Sequence, residues 1–278
     1  MPAAPYRTGR NLVPHPILAL ATLVVLLPFV WIALAAFKTQ IALLLGTVLF
    51  APTLHNFEEV LASKASDYLL NFGNSVMVAG ASTALVIACA FLAAYSLFRT
   101  AWPRAVTLIT LIWAMVFQMV PTVTLAGAWY EMFRAVGLGN SLVAVILAHA
   151  TLNLPIAIWL FAAFLREVPR EIEEAAAIDG AGYPVLILRV VAPVAMPGII
   201  ATALMVFIFS WNEFPVALAL TGADSATVPV AIAKFAQVNE IKYTEMAAAS
   251  VLSAIPALLA LIFGQRFIVK GLASGAIK

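Results

Sequence analysis

Between Arg166 and Arg189 the chain places Arg166, Glu167, Arg170, Glu171, Glu173, Glu174, Asp179 and Arg189, eight charges from a total of 15 basic and 13 acidic side chains. The chemistry such a set offers is docking. Glu174 and Asp179 can pair with arginines of another protein, and the alanines between them let a helix enter a cleft closely. Gly180 can take a turn with positive φ that other residues resist. Covalent chemistry has less support, because His149 and Ser250 come without a Gly-x-Ser-x-Gly nucleophile turn. His15, His55, the lone Cys89 and the carboxylates show no metal-ligand spacing, so no metal site is expected, and one cysteine allows no intrachain disulfide. A Gly-rich loop ending in Gly-Lys-Ser/Thr is missing, so the chain is not expected to bind ATP itself.

The elements that position these residues are set by the solvent. The 278 residues are 64% hydrophobic and 10% charged, with a mean hydropathy of +1.05. Soluble domains carry roughly 45–50% apolar and about 25% charged residues, so the composition points to lipid. A net charge of +2 gives no argument for nucleic acid. A spanning helix needs ~20 mostly apolar residues, and six runs qualify, at about 17–37, 75–98, 106–130, 141–164, 197–221 and 246–265. Pro256 is expected to cut the sixth. The stretch Ile41 to Phe50 is too short to span and reads as interfacial or folded back. The first run exceeds the ~7–15 residues of a signal-peptide core, so it reads as a retained anchor despite the small residues Ala33-Leu34-Ala35.

Six spans put both ends on one side of the membrane. With the ends cytoplasmic, inside segments hold ten lysines and arginines and outside segments five, which follows the positive-inside rule. The predicted architecture is therefore an all-α membrane protein with six helices. Residues 1–16 form a cytoplasmic N-terminus, 17–265 the membrane domain and 266–278 a cytoplasmic tail. The connection 165–196 becomes the longest cytoplasmic one. It predicts one helix over about 168–178 starting near Pro169, a break at Gly180 and Gly182, and a second helix from Pro184 to Val191 that Pro193 ends. Ile172, Ala175, Ala176 and Ile178 give the first helix an apolar side opposite Glu171 and Glu174.

Within the apolar runs, Glu213 is an ionisable group that must face a cavity or a partner. Trp211 and Asn212 beside it suit a translocation path, while Pro215 and the polar stretch 221–227 suit a place at the outer boundary equally well. His149, Thr151 and Asn153, together with Gln118, are expected to bond neighbouring helices. Tyr68, Phe72, Trp129 and Tyr130 are expected in an interfacial aromatic belt.

The charged connection reads Glu174-Ala175-Ala176-Ala177-Ile178-Asp179-Gly180 and runs on to Pro193. It resembles the EAA loop of the membrane subunits of ABC importers: Glu-Ala-Ala, three residues, Gly, nine residues, Ile-x-Leu-Pro. Glu174, Ala175, Ala176, Gly180 and Pro193 match at that spacing, and Val190 and Ala192 stand for the isoleucine and leucine. Three further stretches narrow the resemblance. Ser210-Trp211-Asn212-Glu213-Phe214 with Thr227 to Ala231 is similar to a signature of carbohydrate-importer permeases. The tail from Gln265 to Lys278 is similar to that of the smaller permease in maltose-type importers, and Glu245-Met-Ala-Ala-Ala249 fits the same group, including permeases for sugar alcohols.

The resemblance covers the chain from about residue 12 onward and implies a type I importer permease fold in a bacterial inner membrane. It implies as partners a second homologous permease, two ATP-binding subunits and an external solute-binding protein. ATP and Mg would be bound by the ATPase subunits, with no cofactor in this chain and no enzymatic activity of its own. Glu174, Ala175, Ala176, Asp179, Gly180 and Pro193 would couple to the ATPase, and Lys270, Gly271 and Lys278 would lie near the ATPase interface. Within the same class the solute could instead be one such as glycerol phosphate. A secondary carrier would need several intramembrane charges or duplicated spans; Glu213 is the one acid seen, and neither that class nor a membrane protease explains the EAA spacing.

Overall fold

The computed structural model describes residues 14–63, 66–236 and 241–275, with side chains described from His15 to Gln265 within those stretches. In chain order the first helices are α1 (Pro14–Ala36), α2 (Gln40–Leu44), α3 (His55–Ala62) and α4 (Tyr68–Arg99). Then come α5 (Arg104–Gln118), α6 (Thr122–Ala135), α7 (Leu142–Glu167) and α8 (Arg170–Ile178). A continuous segment follows, made of α9 (Tyr183–Val185), a π-helical stretch (Leu186–Val191) and α10 (Ala192–Val194). The chain ends in α11 (Met196–Trp211), α12 (Pro215–Leu220), α13 (Val228–Lys234) and α14 (Tyr243–Gly275). Among the described residues there is no strand beyond one isolated bridge, Ala236 to Ile241.

Four of these helices, α1, α4, α7 and α14, are long and apolar enough to cross a membrane, and two bent pairs raise the number of candidate spans to as many as six. The third apolar run is not one straight helix. It breaks between α5 and α6 with a bend of 98°, because Pro121 has no N–H to give and pushes Val120 out of the helical region. The fifth run stops at Trp211 and resumes at Pro215, so α11 covers only 16 residues. Preceding it, the segment Tyr183–Val194 meets α11 at 81°, so Pro193 does not end the second helix as expected; the turn follows at Ala195. Pro256 likewise does not cut the last helix, and α14 runs through it. A proline removes one helical hydrogen bond, a loss that membrane helices tolerate where neighbouring groups compensate.

The chain divides into two compact units, one drawn from residues up to 63 with 235–252, the other from 64–234 with 253–278. In the first, residues 41–50 form no span. After α2 the chain turns at Gly46 and presents Ile41, Leu44, Leu45, Val48 and Leu49 outward. Lys38 fastens this loop, donating from Nζ to the Thr47 carbonyl at 2.7 Å while lying over the Trp31 and Phe50 rings.

In the second unit the core lies where α4, α7, α11 and the segment around Leu186 to Val191 meet. Ala90 and Ala94 on α4 and Ala157 on α7 are buried, letting the backbones approach, with Phe91 and Phe161 meeting edge to face at 5.3 Å. Gly198 on α11 completes this packing: an added Cβ would lie 2.5 Å from Phe164 Cγ and 2.9 Å from its Cβ. Because the Phe164 Cβ is fixed to the α7 backbone, Gly198→Ala is expected to destabilise the bundle by about 1–3 kcal/mol. A melting curve in detergent checks this, and an unchanged midpoint would refute the close approach.

Candidate docking segment and intramembrane pocket

Helix α8 starts at Arg170, directly after Pro169, and its acids Glu171 and Glu173 sit in its first turn, where the helix dipole favours them. Its end is a Schellman turn. Gly180 has φ +83°, the Gly180 N–H donates to the Ala177 carbonyl at 3.0 Å, and the Ala181 N–H donates to the Ala176 carbonyl at 3.0 Å. The expected left-handed glycine is therefore present, and it turns the chain into Tyr183–Val194.

The faces of α8 differ from the predicted ones. Ala176 packs on the core and Glu173 turns inward, while Ile178 points outward and is 88% exposed. The predicted apolar side is thus split, because the bundle-facing side of α8 is held by the polar Glu173. The outer face carries Glu174, Ala175, Ala177, Ile178, Asp179 and Gly180, all exposed, with Tyr183 next to them. Pro193 is exposed too, but lies at the bend into α11. Lys270 and Gly271 fall on the helical backbone of α14 with their side chains outside the described residues, and Lys278 lies outside the described residues altogether.

Further along, the two sequence signatures Ser210 to Phe214 and Thr227 to Ala231 come together. They line a cavity of about 330 Å³ walled by Trp211, Asn212, Phe214, Val228, Pro229 and Ser253. Trp211 is buried, donates from Nε1 to the Ser253 carbonyl at 3.1 Å, stacks on Phe207 at 5.9 Å and meets the edge of Phe72 at 5.6 Å. Phe72 and the buried Tyr68 therefore turn toward the bundle instead of forming a lipid-facing belt. Asn212 is exposed at the cavity.

Glu213 turns the other way, into the bundle. Its Oε1 accepts the Val216 N–H and its Oε2 the Ala217 N–H, both at 2.9 Å, which satisfies the open N-terminus of α12. Glu213 Oε2 is also 3.2 Å from His149 Nε2, and His149 Nδ1 is 2.8 Å from Ser210 Oγ, which lies 2.9 Å from Ser82 Oγ. His149 thus joins α7 to α11, as helix packing predicts, and Gln118 joins α5 to α7 by donating to the Leu152 carbonyl at 3.0 Å. Asn153 instead donates within its own helix, to the His149 carbonyl, and Thr151 to the Leu147 carbonyl.

Sequence reasoning missed the residues that support these features. Asn74 donates to the carbonyls of Asp224 and Ala226, and Ser75 Oγ accepts the Val228 N–H at 2.7 Å, so α4 holds the loop that supplies half the cavity. The signal was available: Asn71, Asn74, Ser75 and Ser82 recur at helical spacing in an uncharged span. Tyr95, Arg99 and Glu173, which meet between α4 and α8, were missed as well.

Comparison with known proteins identifies the arrangement. Residues 87–274 match the model of the family described as binding-protein-dependent transport system inner membrane component. The trehalose/maltose transport system permease protein MalG of Thermococcus litoralis is 32% identical over 263 residues, 93% of this chain and 94% of that protein. The trehalose transport system permease protein SugB of Mycobacterium tuberculosis is 36% identical over 208 residues, 74% of this chain and 75% of that protein. Among solved structures, a chain of a bacterial ABC transporter involved in the import of the acidic polysaccharide alginate superposes with a TM-score of 0.73 at 20% identity, covering 96% of this chain and 99% of that one. The chain belongs to the inner-membrane component family of binding-protein-dependent transport systems, as a transport subunit of an ABC importer and not an enzyme.

Proposed function

We propose that this chain is the smaller permease of a carbohydrate importer, with six spans, both ends cytoplasmic, and α8 seated in a cleft of an ATPase subunit. The observation that carries the docking role is the outer face of α8: a nine-residue helix closed by a glycine in the left-handed region and displaying Glu174, Ala175, Ala177, Ile178 and Asp179 outward. An exposed isoleucine beside two acids is poorly explained as a solvated loop and well explained as a contact surface. Glu174 and Asp179 would meet arginines there, and Lys270, Gly271 and Lys278 of the tail would lie near the same subunits.

The complete importer would comprise this chain, a second homologous permease, two ATP-binding subunits and an external binding protein. Trehalose, maltose and diacetylchitobiose in the names of the relatives support a di- or oligosaccharide as solute. Trp211 and Asn212 at the cavity suit that solute, the indole as an apolar platform and the amide as a donor and acceptor for hydroxyls. ATP-driven closure of the ATPase dimer would move α8 and switch the pore between inward-open and outward-open states. Co-expression with candidate ATPases should give stoichiometric co-purification, and vesicle uptake of labelled disaccharide should require both ATP and the binding protein. Uptake by this chain alone, driven by a proton gradient, would sink the reading.

A further inference from the structure

We propose that Tyr95, Arg99 and Glu173 form a clasp that carries movement of α8 into α4, with Arg99 and Glu173 acting as positioning residues; this rests on the reading that α8 docks on an ATPase. The chain itself joins α8 to α7 through Val168 and Pro169, and to α11 through residues 179–195. No such link ties it to α4, which lies some seventy residues earlier, with Tyr95 and Glu173 separated by 78 positions.

Apolar packing gives α8 little hold on the bundle. A helix of nine residues is marginal alone. Its side chain at the core is the small Ala176, while Ile178 faces outward. The connection to α4 is polar. Glu173 Oε2 accepts the Tyr95 hydroxyl at 2.9 Å, and Glu173 Oε1 lies 2.9 Å from Arg99 Nε as an ion pair that lacks the alignment of a directed hydrogen bond. Tyr95 and Arg99 are four residues apart on one face of α4, so both reach the same carboxylate.

Arg99 extends the clasp to a third element. Its Nη2 donates to the Leu165 and Val168 carbonyls, both at 2.6 Å, at the C-terminal end of α7. The Leu165 carbonyl also accepts the Val168 N–H at 3.3 Å, and a cation at this helix C-terminus complements the dipole. Arg170 adds a parallel tie, donating from Nη2 to the Phe98 carbonyl of α4 at 3.2 Å. The side chains of Arg99 and Glu173 are only 8% and 11% exposed, so water cannot readily replace either partner. A planar guanidinium that serves a carboxylate on one edge and two carbonyls on another holds three helix ends at set positions. Displacement of α8 therefore pulls α4 and α7 together, where a flexible loop would absorb it.

The test uses the complete importer with its binding protein. Glu173→Gln keeps the side chain's shape and an acceptor for Tyr95 but removes the charge. It is expected to leave the subunits co-purifying and ATP hydrolysis near the wild-type rate, while solute moved per ATP falls about tenfold, within the usual span of coupling free energies. Tyr95→Phe should lower the same ratio by a smaller factor, and the double variant should fall short of the product of the two single effects, since Tyr95 and Arg99 hold the same carboxylate. Uptake unchanged in Glu173→Gln, or uptake and hydrolysis falling in proportion, would overturn the clasp while leaving the docking reading intact. Failure of the wild-type subunits to co-purify would overturn the docking reading and the clasp with it.

Discussion

Gly180→Arg is expected to uncouple transport while leaving the chain inserted in the membrane. Gly180 has φ +83° with nothing near its Cα that a Cβ would strike, so the substitution is opposed by backbone conformation and not by crowding inside this chain. A left-handed residue other than glycine costs roughly 1–2 kcal/mol, enough to open the Schellman turn that sets the direction of Tyr183–Val194. The added guanidinium would also project from a surface proposed to enter a cleft beside Glu174 and Asp179. Together these effects should lower ATP-driven uptake by at least about tenfold, which corresponds to about 1.4 kcal/mol. Glu174→Arg, at a position that is exposed and helical, separates the two contributions. It leaves the turn intact and reverses only the docking charge, so its uptake should also fall while the melting temperature stays put. Normal uptake in both variants would remove the docking assignment.

The second large effect is expected at Glu213. Its carboxylate accepts two backbone N–H groups of α12 and pairs with His149, whose side chain is fully buried. Removing one partner leaves the other's buried hydrogen-bonding group unsatisfied, which costs about 1–3 kcal/mol and more where that group is charged. Glu213→Ala should therefore destabilise the bundle by that order, and His149→Ala should do so by a similar amount. The double variant should fall short of the sum by about 0.5–3 kcal/mol, since each removes what the other needs. Thermal unfolding in detergent measures all three, and strict additivity would show that the contact between them carries no energy. Asn212→Ala provides the contrast: among the described residues its exposed side chain donates to the Ile208 carbonyl of its own helix, so it should change uptake without shifting the unfolding midpoint.

These two predictions separate what was legible at each position. Glu213 was recognisable as unusual because an acid in an apolar run must find a partner. Which partner it finds could not be read: His149 lies 64 residues away, and nothing local distinguishes a carboxylate that caps a helix from one that faces a cavity. Asn212 and Glu213 are adjacent in the chain, yet one is exposed at the cavity and the other points into the bundle. The break between Trp211 and Pro215 aims them differently, and a run of hydropathy does not resolve a break of three residues.

The sequence by itself determined the membrane class, the six apolar runs, the glycine turn at Gly180 and the spacing from Glu174 to Pro193, because each depends on composition or on a few neighbouring residues. Tertiary structure alone decided that Pro121 bends the third run by 98° while Pro256 leaves α14 continuous. It also decided that Glu173, not Glu174, is the acid held by Arg99 and Tyr95. The physical reason is the same in each case. A proline's missing hydrogen bond and a charge's partner are settled by groups distant in sequence, which only the packed helices bring within reach.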